Sequence, residues 1–136
     1  MVTTFDIRIE HLVYGGEALG RLADGRVIFV PYALPRELVR VRLVEDKLKF
    51  ARGELVEVLE AAPERVVPRC VHFRTCGGCH YQHMDYQAQV KAKASILREQ
   101  LERMGGLHEL PEIELNPSTE PWYYRNTIQL HLTREG

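Results

Sequence analysis

Residues 24–39 read DGRVIFVPYALPRELV, and the fold turns on how this stretch is parsed. Asp24-Gly25 is a hairpin-turn pair. The apolar run Val27-Ile28-Phe29-Val30 follows and is closed by Pro31. Ala33-Leu34-Pro35-Arg36 makes a second turn, after which Val39, Val41 and Leu43 alternate with Arg40 and Arg42. Upstream, Phe5, Ile7 and Ile9 alternate with Asp6, Arg8 and Glu10, and Gly15, Gly16 and Gly20 punctuate the approach to a short segment at Leu19–Leu22. Downstream, Glu45-Asp46-Lys47 turns the chain back through Lys49-Phe50-Ala51-Arg52, and Leu55-Val56-Glu57-Val58-Leu59 ends the region.

Five short strands separated by frequent turns predict a small closed β-barrel of the OB type over residues 1–62. Such barrels hold RNA on a basic and aromatic surface. The candidates are Lys47, Lys49, Phe50 and Arg52, with Arg40 and Arg42 on a strand face. Acidic residues outnumber basic ones ten to nine in residues 1–60, so the same side chains also read as solvated strand positions.

Pro63 and Pro68 stop the last strand and open a linker over residues 63–84 that carries CVHFRTCGGCHYQH, residues 70–83. All three cysteines of the chain, Cys70, Cys76 and Cys79, fall inside it with the spacing C-x5-C-x2-C. An odd number of thiols so closely packed points to a shared metal or cluster rather than to a disulfide. Gly77 and Gly78 let the backbone reach positive φ and turn N–H groups toward sulfur. A zinc site would take His83 as fourth ligand, with His72 and His80 as alternatives; a four-iron cluster would need a fourth cysteine. A thiol–disulfide exchange centre lacks the strand–helix setting that such motifs use.

Asp85 is placed to cap a helix over 85–106 that Gly105-Gly106 ends. Val90, Ala94, Leu97, Leu101 and Met104 are its expected apolar face, extended by Tyr86. From residue 107 the character changes. Glu112-Ile113-Glu114-Leu115 alternates like a strand, and so does Thr127–Leu132 after Trp122-Tyr123-Tyr124-Arg125-Asn126. A new sheet begins with no partner strands to complete it, so residues 107–136 are expected to open a central α/β domain that continues elsewhere.

The hydrophobic content of 45% and charged content of 27% are those of a globular protein. No apolar run approaches the roughly 20 residues that span a membrane. No secretory signal opens the chain, and with the unpaired cysteines this points to a reducing cytoplasm. A net charge of −1 excludes the strongly basic class of autonomous nucleic-acid-binding domain.

In this order, the pieces resemble the N-terminal part of the S-adenosylmethionine-dependent RNA uracil-5-methyltransferases. LVYGGEALGRL, DGRVIFVPYALPRELV and KFARGELVEVLE are similar to a TRAM domain; CGGC followed by YQHMDYQAQVKAK is similar to the family's iron–sulfur motif and following helix. PWYYRNTIQLHL resembles the entry to the central domain. The resemblance implies that Cys70, Cys76 and Cys79 ligate a 4Fe-4S cluster whose fourth cysteine lies outside this chain. Tyr123, Arg125 and Asn126 are candidates to contact RNA by stacking and phosphate bonds, with a strand start and Arg125 in an internal ion pair as the equal alternative.

The methyl-donor site, the thiolate that attacks uracil C6 and the base that removes the C5 proton would all lie in a further domain, leaving residues 1–136 inactive alone. Ribosomal RNA is the expected partner in preference to tRNA, and a monomer is expected. The alternative is a non-catalytic RNA adaptor with a Cys3His zinc site. One departure concerns the turn at Pro35, where the family's Gly is Arg36: the turn is then type I, or Arg36 carries strain.

Overall fold

A computed structural model describes residues 3–129. Its strands are β1 (Thr4–Leu12), β2 (Glu17–Arg21), β3 (Val27–Pro31), β4 (Leu38–Asp46) and β5 (Phe50–Glu60), followed by α1 (Tyr86–Arg103). The strands close into a barrel in the order β1-β2-β3-β5-β4, with β4 returning to β1. Every pairing is antiparallel except β3 with β5, which runs parallel from Val27↔Phe50 to Phe29↔Arg52. This is the five-stranded barrel that the alternation predicts, mainly β with one helix.

Period-2 burial builds the interior. Ile7 and Ile9 from β1, Ile28 and Val30 from β3, Val39 and Val41 from β4, and Ala51 and Leu55 from β5 all point inward. The hairpin at Asp24-Gly25 is a three-residue loop: Gly25 N–H donates to Leu22 O (2.9 Å) and Leu22 N–H to Arg26 O (2.9 Å). Asp24 Oδ1 accepts from Arg26 N–H at 3.0 Å, an Asx turn that fixes the loop.

The turn at Pro35 is closed by Glu37 N–H donating to Leu34 O at 3.2 Å, and Arg36 sits at φ 72°. Positive φ at the third position is type II geometry, so of the two readings of this turn the structure has the strained one. The surroundings hold it there: Arg36 N–H donates to Ile9 O at 2.8 Å, and the guanidinium pairs with Glu64. Arg36→Gly and Arg36→Ala both lose that ion pair, but only Gly relieves the backbone. Arg36→Gly is therefore expected to be the more stable of the two by about 1 kcal/mol, read from urea midpoints at equal slope.

Asp85 caps α1, its Oδ1 accepting from Ala88 N–H at 2.9 Å. The face that meets the barrel differs from the expected stripe. Ile96 is the buried residue of α1, and Ala92 and Ala88, one and two turns earlier, pack with it against the core. Leu97 and Met104 are 48% and 81% exposed. At its start the helix is held by the Arg65↔Met84 bridge and the Asp85 cap.

Residues 107–129 form no strand. Glu112–Leu115 is unpaired because the closed barrel leaves no free edge beside it. The segment instead follows the helix, with Arg98 donating to Pro111 O (3.0 Å) and Ser118 N–H to the Tyr86 hydroxyl (2.7 Å). The alternating run Thr127–Leu132 extends past the described residues. Among those described, no helix is long and apolar enough to cross a membrane.

Candidate nucleic-acid interface and cysteine loop

The cysteine loop leaves the barrel through one buried charge pair. Glu37 has no exposure at all, and its carboxylate accepts from Leu34 N–H (2.8 Å), Ala62 N–H (3.1 Å), Arg65 Nε (2.6 Å) and Arg65 Nη2 (2.7 Å). Arg65 also donates to Tyr32 O at 2.8 Å. The pair thus joins the β3–β4 turn to the first residues after β5. Beyond it the loop is pinched shut by Val66 N–H donating to His83 O (3.0 Å) and Asp85 N–H to Glu64 O (2.9 Å).

Within the loop, Cys70 is half-buried and its N–H donates to Gln82 Oε1 at 3.0 Å, while Cys76 and Cys79 are exposed; all three are free thiols. Gly77 has φ 72°, as expected, but Gly78 is not in the left-handed region. The loop lies close to the barrel at Gly16, where an added Cβ would come within 2.9 Å of His80 Cβ. In donor type the three thiols match an iron–sulfur site, and they fall one ligand short of it. Among the described residues, no three His, Cys, Asp or Glu side chains gather closely enough to hold a metal ion.

His83 is not placed as a fourth ligand. It is 1% exposed, stacked on Phe73 (centroids 5.6 Å, 28° between planes) and edge-on to Tyr32 (6.1 Å). Neither ring nitrogen has a hydrogen-bond partner. Burial, and behind it the positive charge of Arg65, pushes its pKa down to about 4. The ring is a neutral core group, so the Cys3His zinc site has no support.

The expected RNA-facing residues divide into two groups. Arg40 and Arg42 are committed across the sheet: Arg40 donates to both Asp6 oxygens (2.8 and 3.1 Å) and Arg42 pairs with Glu54. The hydrogen bonds from Arg40 hold the Asp6 carboxyl below its ordinary pKa. Lys47 pairs with Glu45 at 3.1 Å. Lys49 is exposed beside Leu48, which is 92% exposed at the tip of the β4–β5 hairpin. Arg52 lies over Phe29 and Phe50 (5.5 and 5.9 Å to the centroids) and also pairs with Glu17 and Glu45.

At the other end, Tyr123 (φ 58°) meets Arg69, whose guanidinium is 5.2 Å from that ring and 4.8 Å from Trp122. Arg125 lies 5.5 Å from the Tyr124 ring, and Asn126 Oδ1 accepts from the Thr127 hydroxyl at 3.3 Å. The structure therefore brings Tyr123 to the cysteine loop through Arg69, a residue that sequence reasoning missed. Arg69 stands 53 and 54 positions from its two aromatic partners, and no local pattern signals such a contact.

A closed five-stranded barrel with Arg52 over its edge-on Phe29–Phe50 pair is an OB-type architecture. The TRAM domain model matches residues 2–56. The 23S rRNA (uracil(1939)-C(5))-methyltransferase RlmD of Alkalilimnicola ehrlichii is 41% identical over 136 residues, covering 97% of this chain and 30% of that protein. An uncharacterized RNA methyltransferase of Aquifex aeolicus is 36% identical over 126 residues, 93% of this chain and 29% of its own. A conserved protein of Methanococcus maripaludis, solved in solution, is 34% identical over 40% of this chain and 77% of its own, with a TM-score of 0.38. The chain carries a TRAM domain and corresponds, over nearly its whole length, to the N-terminal part of these RNA methyltransferases. It spans about 30% of the length of the curated relatives it matches.

Proposed function

We propose that this chain is the RNA-holding, cluster-bearing portion of an S-adenosylmethionine-dependent enzyme that makes 5-methyluridine in 23S rRNA, in preference to tRNA. The reading rests on one observation above the rest: a TRAM barrel is joined directly to a loop of three free thiols, in a chain 41% identical to an rRNA uracil methyltransferase. Lys47, Lys49, Phe50 and Arg52 at one end, and Tyr123, Arg125 and Asn126 at the other, contact the RNA backbone and unpaired bases. Cys70, Cys76 and Cys79 would ligate a 4Fe-4S cluster, the fourth ligand coming from outside residues 1–136. Bound there, the cluster ties the loop into a fixed shape, since methyl transfer moves no net electrons. The protein works as a monomer in the cytoplasm.

The test is iron, sulfide and zinc content with a visible spectrum, on chain purified without oxygen. Near-stoichiometric iron and sulfide with broad brown absorption is expected, and Cys76→Ser is expected to lose most of both. Zinc in place of iron and sulfide would overturn the cluster.

A further inference from the structure

Where the cysteine loop crosses the barrel it leaves a groove of about 520 Å³, within the range of about 300–1,000 Å³ usual for small-ligand sites. Val44 and Leu55 give it an apolar floor, and Tyr32, Arg52 and Arg74 stand around it. A second hollow of about 290 Å³ shares Glu17, Pro31 and Tyr32 with it and runs on to His80.

The walls are of one kind. Arg74 lies 5.3 Å from the Tyr32 ring centroid and donates to Leu55 O at 3.0 Å. Arg52 lies over Phe29 and Phe50. Tyr32 and Arg74 are both held in the left-handed region, at φ 66° and φ 75°. Neither is glycine, and two strained residues stacked on one another mark a position that the surrounding structure enforces, as ligand clamps do.

Charge narrows the ligand. The rim carboxylates Glu17 and Glu54 are already paired with Arg52 and Arg42. Arg74 has no carboxylate partner among the described residues. One guanidinium without a carboxylate partner, 5.3 Å from a ring centroid, suits a planar aromatic group that carries an anion next to it. A hollow of this size has room for a splayed-out base.

We propose that this groove is the pocket for one unpaired nucleobase of single-stranded RNA, with Tyr32 and Arg74 as its stacking platform. The proposal rests on the RNA-binding reading above and assigns to it residues that neither terminus of the expected interface contains. Because Arg74 lies between Cys70 and Cys76, one side of the pocket is supplied by the thiol-bearing loop.

The test is fluorescence anisotropy of the chain with a labelled oligouridine of about ten nucleotides and with a duplex of equal length. Crosslinking of a 4-thiouridine version, mapped by mass spectrometry, accompanies it. The single strand is expected to bind more tightly than the duplex, and the crosslink is expected at Tyr32. Arg74→Ala should weaken single-strand binding about tenfold, with Arg74→Lys, which keeps the charge and loses the planar stack, in between. Arg74→Ala within twofold of the parent, with crosslinks confined to residues 122–124 and a large loss in Arg69→Ala, would overturn the pocket and leave the RNA-binding reading standing. Absence of binding to either RNA would remove both. If Arg74→Ala lowers the melting temperature, Arg74→Lys and the crosslink position decide.

Discussion

Glu37→Ala is expected to cost about 3–5 kcal/mol of folding stability, the range for removing one partner of a buried, hydrogen-bonded ion pair. With total stabilities of about 5–15 kcal/mol for such domains, that change brings the barrel close to unfolding at room temperature. The loss has three parts. Leu34 and Ala62 lose the acceptor for their N–H groups, and Arg65 keeps a charge with only Tyr32 O to receive it. Glu37→Gln separates them, since it keeps one acceptor oxygen and the side-chain volume but strands the arginine. It is expected to fall between Glu37→Ala and the parent. Arg65→Met shows the converse, a carboxylate left with two backbone donors. Chemical denaturation of the four proteins at pH 7 provides the comparison, and a Glu37→Ala midpoint unchanged from the parent would show the pair to be dispensable.

The second large effect is on pH. His83 is neutral in the folded protein, with a pKa of about 4 against an ordinary value of 6.5. A depressed folded pKa makes the unfolded chain the better proton acceptor between those two values. Stability is therefore full above about pH 6.5, declines as pH falls toward 4, and stops declining below it on this group's account. The interval corresponds to about 3 kcal/mol at about 1.4 kcal/mol per unit.

The groups facing the ring are Arg65 and Arg74, which oppose its protonation, and the Ala33 backbone and Glu37, which favour it, Glu37 being already satisfied. His83→Phe keeps the stack on Phe73 and removes two unpaired nitrogens. It is expected to leave stability at pH 7 unchanged or raised, and to remove most of the decline between pH 6.5 and 4. Unfolding midpoints across that range test this; an equal decline in the variant would place the acid sensitivity elsewhere.

The barrel was legible in the sequence because its determinants are local. Alternation in Phe5–Ile9 and Val39–Leu43, the Asp24-Gly25 pair and the prolines each act within a few residues of where they stand. The caps of the helix are local for the same reason. Its roll is not, because Ala88, Ala92 and Ile96 pack against a barrel core that lies far away in sequence. His83 looked like a ligand by spacing alone; only the folded chain reveals Tyr32 and Phe73 closing over it. Glu37 gave no signal, being one more charge between a turn and a strand, and its partners arrive from 25 and 28 residues away. Of the expected RNA-facing residues, charge type was readable and availability was not. Arg40 and Arg42 are spent on carboxylates that the strand register places opposite them.

The closed ring also has a bearing on how the chain is made. β5 is the last strand synthesised, yet it lies between β3 and β4 and is the strand that closes the circle. Until it has left the ribosome, the first four strands form an open sheet with two bare edges, the arrangement most prone to sticking to its neighbours. Closure therefore comes late and nearly at once. A ribosome that stalls before Glu60 would release an adhesive intermediate rather than a smaller stable domain.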